Sequence, residues 1–524
     1  MTASGVGAGV DPGAGDPGTL GDAPLARELR RARAAGTRPF HMPGHKGGAG
    51  APALGVELLG VAAYVADVSE VGGDFDYLHG PSGAMADAQA AAAALFGARR
   101  TWFLVNGATV GNLAALVALT AEGDEVLVAR GSHRSVLGGL VLSGATPVYL
   151  PPALDAGLDG YFGVDVAGLR AALAEHPAVT AVHVTSPDYY GFVAGIADIA
   201  AACHRAGVPL VVDEAHGTHL GLDPGLPPSA LAGGADLVVH SPHKTLGSLT
   251  QSAMLHAQGP LVDCERVADA LALLQSSSPS SLLTVSLDVA RAAVAGDGAA
   301  RVTAAVDLAR AARARVGAVA GLTLVDPSSP AGAVRAADPT KLVVDVTGLD
   351  LDGFAAADWL RRHGGVVAEL ADLRRVVCSI TVADDAASVG ALVDALAALA
   401  ASAWPAAGGG SAAGGRARSG RGSVAGAWVA APPDVVVTPR EASRLPRVTV
   451  PVDQAAGRLA GEAVIPYPPG IPLVAPGERL DAGTLAALDR LRVAGCRIVG
   501  TADPTGATIA CLDLPGAGPA SAGG

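Results

Sequence analysis

The stretch HSPHKTLGSLTQSAML, residues 240–255, decides the reading of the whole chain. It holds Lys244, one of three lysines (with Lys46 and Lys341) among 36 lysines and arginines; the rest are arginine. Where charge alone matters this chain uses arginine, so a retained lysine points to chemistry that a guanidinium cannot do. A desolvated lysine can lose its proton and attack a carbonyl, whereas arginine stays protonated. Lys244 follows the apolar run ADLVVHS (235–241), which reads as a buried strand. An amine at a strand end has a lowered pKa and is suited to Schiff-base chemistry. The plainer alternative is a surface lysine that opens a helix.

Upstream, PLVVDEAHGTHLG (209–221) runs four apolar residues into Asp213, with His216 three residues later. A carboxylate at a buried strand end is costly unless it meets a cation. The protonated pyridine nitrogen of pyridoxal phosphate is such a cation, and Asp213 would keep it protonated. A helix-capping aspartate is the competing explanation. FLVNGATVGN (103–112) reads as strand, glycine turn and helix start, the arrangement that binds phosphate through backbone amides. Gly107, Ala108 and Thr109 would supply those amides. RGSHRSV (130–136) follows the next strand and places His133 to stack on a flat ring; an ordinary capping histidine is the alternative.

Together these stretches resemble the Orn/Lys/Arg decarboxylase family of fold-type-I pyridoxal-phosphate enzymes, in its short form without an N-terminal wing. The resemblance also runs through FHMPGHKGG (40–48), SSSPSSLL (276–283) and IPYPPGIPLVAPGE (465–478), so it spans residues 40 to about 478. It implies Lys244 as the internal aldimine lysine, Asp213 as the pyridinium partner and His133 stacked on the ring, with His216 packed beside it. It assigns Ser241 and His243 to the phosphate and to orienting the aldimine, and Ser277 to the neighbouring subunit's phosphate. The family usually has Ser or Thr where this chain has Ala108, so one hydroxyl contact is missing, worth about 1–2 kcal/mol if nothing replaces it. Lys244 or His243 would return a proton to the α-carbon after carbon dioxide leaves. For the substrate's distal cation the resemblance offers Asp74, Asp76, Glu462 and Glu478 as candidate carboxylates. It further implies a homodimer with shared active sites, acting on arginine, lysine or ornithine and feeding polyamine metabolism. An aminotransferase or lyase on the same fold is the second reading, and a non-catalytic regulatory homologue the third. An aminotransferase normally needs an arginine for a second carboxylate, and none stands out here.

Composition narrows the classes further. The formal net charge of −13 argues against a nucleic-acid surface, which needs clustered positive charge. Five dispersed cysteines without a C-x-x-C pair indicate neither a disulfide framework nor a zinc site, and Pro43-Gly44 breaks the helical spacing that His41 and His45 would need for a metal. No metal is expected. No apolar run reaches the ~18 residues of a membrane span, and the N-terminus lacks a signal-peptide pattern, so a cytoplasmic protein is expected.

Short β-rich runs (101–106, 125–130, 181–186, 209–214, 235–241) alternate with Ala-rich helical runs. That pattern predicts an α/β large domain with a mainly parallel sheet over 88–320. A disordered N-terminus (1–22) and an N-terminal arm (23–87) precede it. A smaller α/β domain (321–405), a Gly/Ser-rich linker (406–427), a C-terminal α+β module (428–516) and a disordered tail (517–524) follow.

Overall fold

The computed structural model describes residues 23–514 except 74, 156–159, 297, 327–332, 403–433, 468–469 and 494. The segments 1–22, 406–427 and 517–524, and the candidate Asp74, lie outside the described residues.

Seven strands form the central sheet: β1 (Arg100–Leu104), β2 (Glu125–Ala129), β3 (Thr146–Leu150), β4 (Val179–Thr185), β5 (Leu210–Asp213), β6 (Leu237–His240) and β7 (Ala253–Ala257). Their order is β1-β7-β6-β5-β4-β2-β3. The contiguous block from β6 to β3 is parallel, and β7 runs antiparallel to both β1 and β6. The parallel strands read as unbroken apolar runs because helices cover both faces. Leu210, Val211, Val212, Leu237, Val238 and Val239 are all fully buried.

With aromatics at 3% of the chain, close packing comes from small residues. The helix Gly107–Leu119 lies so near the sheet that a Cβ on Gly111 would come within 3.0 Å of Val239. That contact seats the helix start against β6, the strand that precedes Lys244, beside the β5 end that carries Asp213.

A second sheet is wholly antiparallel: β8 (Thr323–Leu324), β9 (Lys341–Asp345), β10 (Leu370–Ala371) and β11 (Arg375–Ser379), in the order β8-β9-β11-β10. The helices Ala299–Gly317, Gly353–His363 and Ala386–Ala401 bury Ala309, Leu360 and Leu396 in one core with Leu342, Val344 and Val376. The C-terminal region pairs Arg447–Pro451 with Thr508–Leu512 and Ile465–Tyr467 with Arg497–Val499, and packs the helix Ala482–Val493 beside them. Arg130, just after β2, holds this region to the central sheet. Its guanidinium donates to both Glu478 carboxylate oxygens and to the Leu473 carbonyl, with its face over the Tyr149 ring.

Candidate active site

A cavity of about 440 Å³ opens at the C-terminal ends of the parallel strands, where open α/β sheets place their ligands. Gly107, Ala108, Thr109, His133, Asp213, His216, Ser241, His243 and Lys244 all line it. Ser277 does not; it is exposed on the segment before the helix Ser281–Ala295.

Lys244 lies on a single helical turn, Pro242–Thr245, which begins as β6 ends. Its Nζ donates to His216 Nε2 at 2.8 Å. Burial lowers the Lys244 pKa and the Lys341 charge adds to that, while Asp213 and Glu369 oppose it. Burial, together with the two lysines, drives the His216 pKa well below that of a free imidazole, so the ring is a neutral acceptor. Tyr189 packs edge-on against that ring with centroids 4.9 Å apart. His243 donates from Nδ1 to the Ser252 carbonyl at 2.7 Å. Burial lowers its pKa as well, so the neutral ring keeps Nε2 as a lone-pair acceptor.

Asp213 is buried at the end of β5 without an ion-pair partner among the described residues. It accepts from Asn112 Nδ2 at 2.8 Å and from the Ala215 N–H at 3.1 Å. Asn112, fully buried, also donates to Ser135 Oγ (2.9 Å) and accepts from His183 Nε2 (3.2 Å). Burial pushes the His183 pKa down to about 4, so its neutral ring is the donor in that contact. Ser135 in turn meets His133 Nδ1 through its hydroxyl (2.9 Å) and its backbone N–H (3.2 Å). His133 caps the helix Arg134–Ser143, which fixes its ring in the cavity wall; burial lowers its pKa against the pull of Asp213. One buried network therefore fixes both the carboxylate and the imidazole.

The wall chemistry fits pyridoxal phosphate. Ser241 Oγ, Thr185 Oγ1 and His216 Nδ1 are buried in this wall and have no hydrogen-bond partner among the described residues. Buried polar atoms of that kind call for an external partner. Gly107 has φ +72°, a left-handed turn that opens the helix Gly107–Leu119 with its first amides toward the cavity, ready for an anion. Asp213 lacks only a cation.

The candidate substrate carboxylates are placed elsewhere. Asp76 accepts backbone N–H groups of Gly83 (2.8 Å) and Met85 (2.9 Å) at the start of the helix Ala84–Phe96. Glu462 accepts from the Ala502 and Ala510 N–H groups, each at 2.8 Å. Glu478 is taken by Arg130 and the Ala475 N–H. None of the three lines the cavity. Residues not singled out in the sequence complete the wall: Asn106, Thr185, Tyr189 and Gln251 from the central region, Glu369 and Leu370 from the second sheet, and Tyr467 from the C-terminal region. Asn112 sat in a quoted motif, and its amide beside two strand ends was the one available signal.

Comparison with known proteins assigns the family. The family model described as Orn/Lys/Arg decarboxylase, major domain, matches residues 23–388, and the corresponding C-terminal domain matches 425–496. An arginine decarboxylase of Halalkalibacterium halodurans is 34% identical over 472 residues, covering 90% of this chain and 93% of that protein. An arginine decarboxylase of Bacillus subtilis is 33% identical over 485 residues, covering 92% and 96%. Among solved structures, the lysine decarboxylase of Francisella novicida superposes with a TM-score of 0.77 at 18% identity, covering 94% of this chain and 81% of that one. The fold is that of these fold-type-I enzymes, and the chain belongs to the Orn/Lys/Arg decarboxylase family.

Proposed function

We propose that this decarboxylase removes the α-carboxylate of a basic amino acid, using pyridoxal phosphate bound covalently by Lys244. The observation that carries the reading is the convergence of Lys244, Asp213, His133 and an open helix N-terminus on one cavity with unsatisfied polar atoms. When bound, the cofactor supplies a sink for the electron pair left as carbon dioxide departs. Asp213, held by Asn112, balances the charge on the pyridine nitrogen. His133 supports the ring face, and the amides of 107–109 with Ser241 hold the phosphate. His216 accepts a hydrogen bond from the Lys244 amine and keeps it positioned. Lys244 or His243 then delivers a proton to the α-carbon; burial lowers the Lys244 pKa from the usual lysine range toward neutrality, which suits general acid–base work.

Curated relatives matched over nearly their whole length bear the name arginine decarboxylase, which makes arginine the first substrate to test, with lysine and ornithine beside it. The products would be agmatine or a diamine, feeding polyamine metabolism. No arginine lines the cavity among the described residues, which counts against an aminotransferase for dicarboxylic acids. The reading includes a homodimer in which Ser277 reaches the neighbouring subunit's phosphate. It also includes a cytoplasmic location, which suits five free cysteines, four of them buried.

Mass spectrometry of amine products from each of the three amino acids, with added pyridoxal phosphate, tests the reaction. Wild type is expected to yield amine, and Lys244→Ala to lose at least ~1,000-fold. A 2-oxo acid instead of an amine would overturn the proposal in favour of transamination.

A further inference from the structure

We infer that Glu214 and His240 form a positioning pair behind the cavity, which sets the distance and angle between Asp213 and Lys244; the inference rests on the reading of those two residues above. Asp213 ends β5 and Glu214 is the next residue, while His240 ends β6, four residues before Lys244. Asp213 and Val239 are register partners, and both face the helix Gly107–Leu119, where they meet Asn112 and Gly111. Successive strand residues point to opposite faces, so Glu214 and His240 turn to the far side of the sheet. There His240 Nε2 donates to Glu214 Oε2 at 2.8 Å, and the other Glu214 oxygen accepts the Ala230 N–H at 2.9 Å. The Glu214 N–H also donates to the Val239 carbonyl at 3.0 Å, so backbone and side chain tie the same two strand ends. Neither side chain lines the cavity.

The pair is buttressed from the two strands beyond it. His256, on β7, sets its ring edge-on to His240 with centroids 4.6 Å apart, and its Nδ1 meets Thr101 Oγ1 of β1 at 2.8 Å. Phe96, at the end of the helix Ala84–Phe96, packs against both imidazoles with ring centroids 5.1 Å apart. Glu214, His240, His256 and Thr101 are each at most 2% exposed, so a buried row of polar side chains crosses four adjacent strands. Apolar residues of equal volume in such a place would stabilise the fold at least as well. A hydrogen-bonded pair adds what they lack, a fixed length and direction. The cofactor is a rigid ring that meets Asp213 at its nitrogen and Lys244 at its aldehyde carbon, so the separation of those two groups has to be held closely.

The test compares wild-type holoenzyme with an apolar double variant, Glu214→Leu with His240→Leu, and with the near-isosteric Glu214→Gln. Three quantities are read: the denaturation midpoint, the circular dichroism of the bound cofactor, which reports the tilt of its ring, and kcat against KM for whichever of arginine, lysine and ornithine yields amine. The double variant is expected to match or exceed the wild-type midpoint, yet to lose about 10–100-fold in kcat, with KM within about threefold and a changed cofactor signal. Glu214→Gln keeps a hydrogen bond to His240 and should lose only about 3–10-fold in kcat. A double variant with wild-type kcat and cofactor signal would overturn the inference, as would losses that merely follow the midpoint, which would mark a structural role. Should the double variant not fold, Glu214→Gln decides alone: a lower kcat with a changed signal at an unchanged midpoint upholds the pair, and a wild-type profile overturns it. A wild type that binds no cofactor would overturn the decarboxylase reading and this inference together. A wild type that binds cofactor but makes no amine would overturn only that reading, because the cofactor signal still tests the pair.

Discussion

The floor and the rim of the cavity are built in opposite ways. On the floor, Asp213, Asn112, Ser135, His133 and His183 form one buried network in which nearly every polar atom has a partner inside the protein. At the rim, Glu369 and Tyr467 arrive from two other parts of the chain and are exposed. The difference teaches a division of labour. A preorganised floor suits the chemistry, which tolerates little movement, and an open rim suits recognition of a side chain that comes and goes.

The largest expected effect comes from cutting the strut between the two regions. Glu478 is buried and Arg130 largely so, and their pairing anchors the C-terminal region that carries Tyr467. Glu478→Gln leaves the Arg130 charge uncompensated and is expected to cost about 3–5 kcal/mol of stability, read by chemical denaturation. A loss under about 1 kcal/mol would mean that the rim is held by other contacts. Next is the floor itself. Asn112→Leu removes the side-chain donor to Asp213 and is expected to weaken pyridoxal phosphate by about 10–100-fold in equilibrium dialysis, equivalent to about 1–3 kcal/mol. An unchanged affinity in folded protein would detach Asn112 from the cofactor.

The smallest effect is a pH dependence confined to the floor. The His183 pKa falls from 6.5 to about 4 on folding. The unfolded ring therefore takes up a proton first as pH drops, and stability from this site is full above pH 6.5 and lost below it. At pH 5 the loss amounts to about 2 kcal/mol. His183→Gln should be less acid-labile than wild type by that amount between pH 7 and pH 5. Parallel pH curves for the two proteins would show that the ring is not held neutral.

Most of the floor was legible in the sequence because its residues follow apolar runs directly, and a strand's end marks where its chemistry emerges. Lys244, Asp213, His133 and the 107–109 turn were found in that way. The strands β3 and β7 were not singled out: TPVYL carries a proline, and AMLHA overlaps the end of the lysine motif, where chemistry drew the eye before periodicity did. The rim was illegible for a different reason. Glu369 and Tyr467 sit far along the chain from Lys244, and only the docking of the second sheet and the C-terminal region brings them to the cavity. Nor does a sequence say which carboxylates are already occupied. Asp76 and Glu462 read as free acids, yet the folded backbone turns its amides toward both.

The central claim is that Lys244 carries the cofactor. Borohydride reduction of the holoenzyme fixes the lysine–cofactor linkage as a stable amine, and peptide mapping by mass spectrometry then locates it. With three lysines in the chain the answer is discrete. The account predicts the phosphopyridoxyl mass on the peptide containing Lys244. The same mass on the Lys341 or Lys46 peptide, or on none, would contradict it.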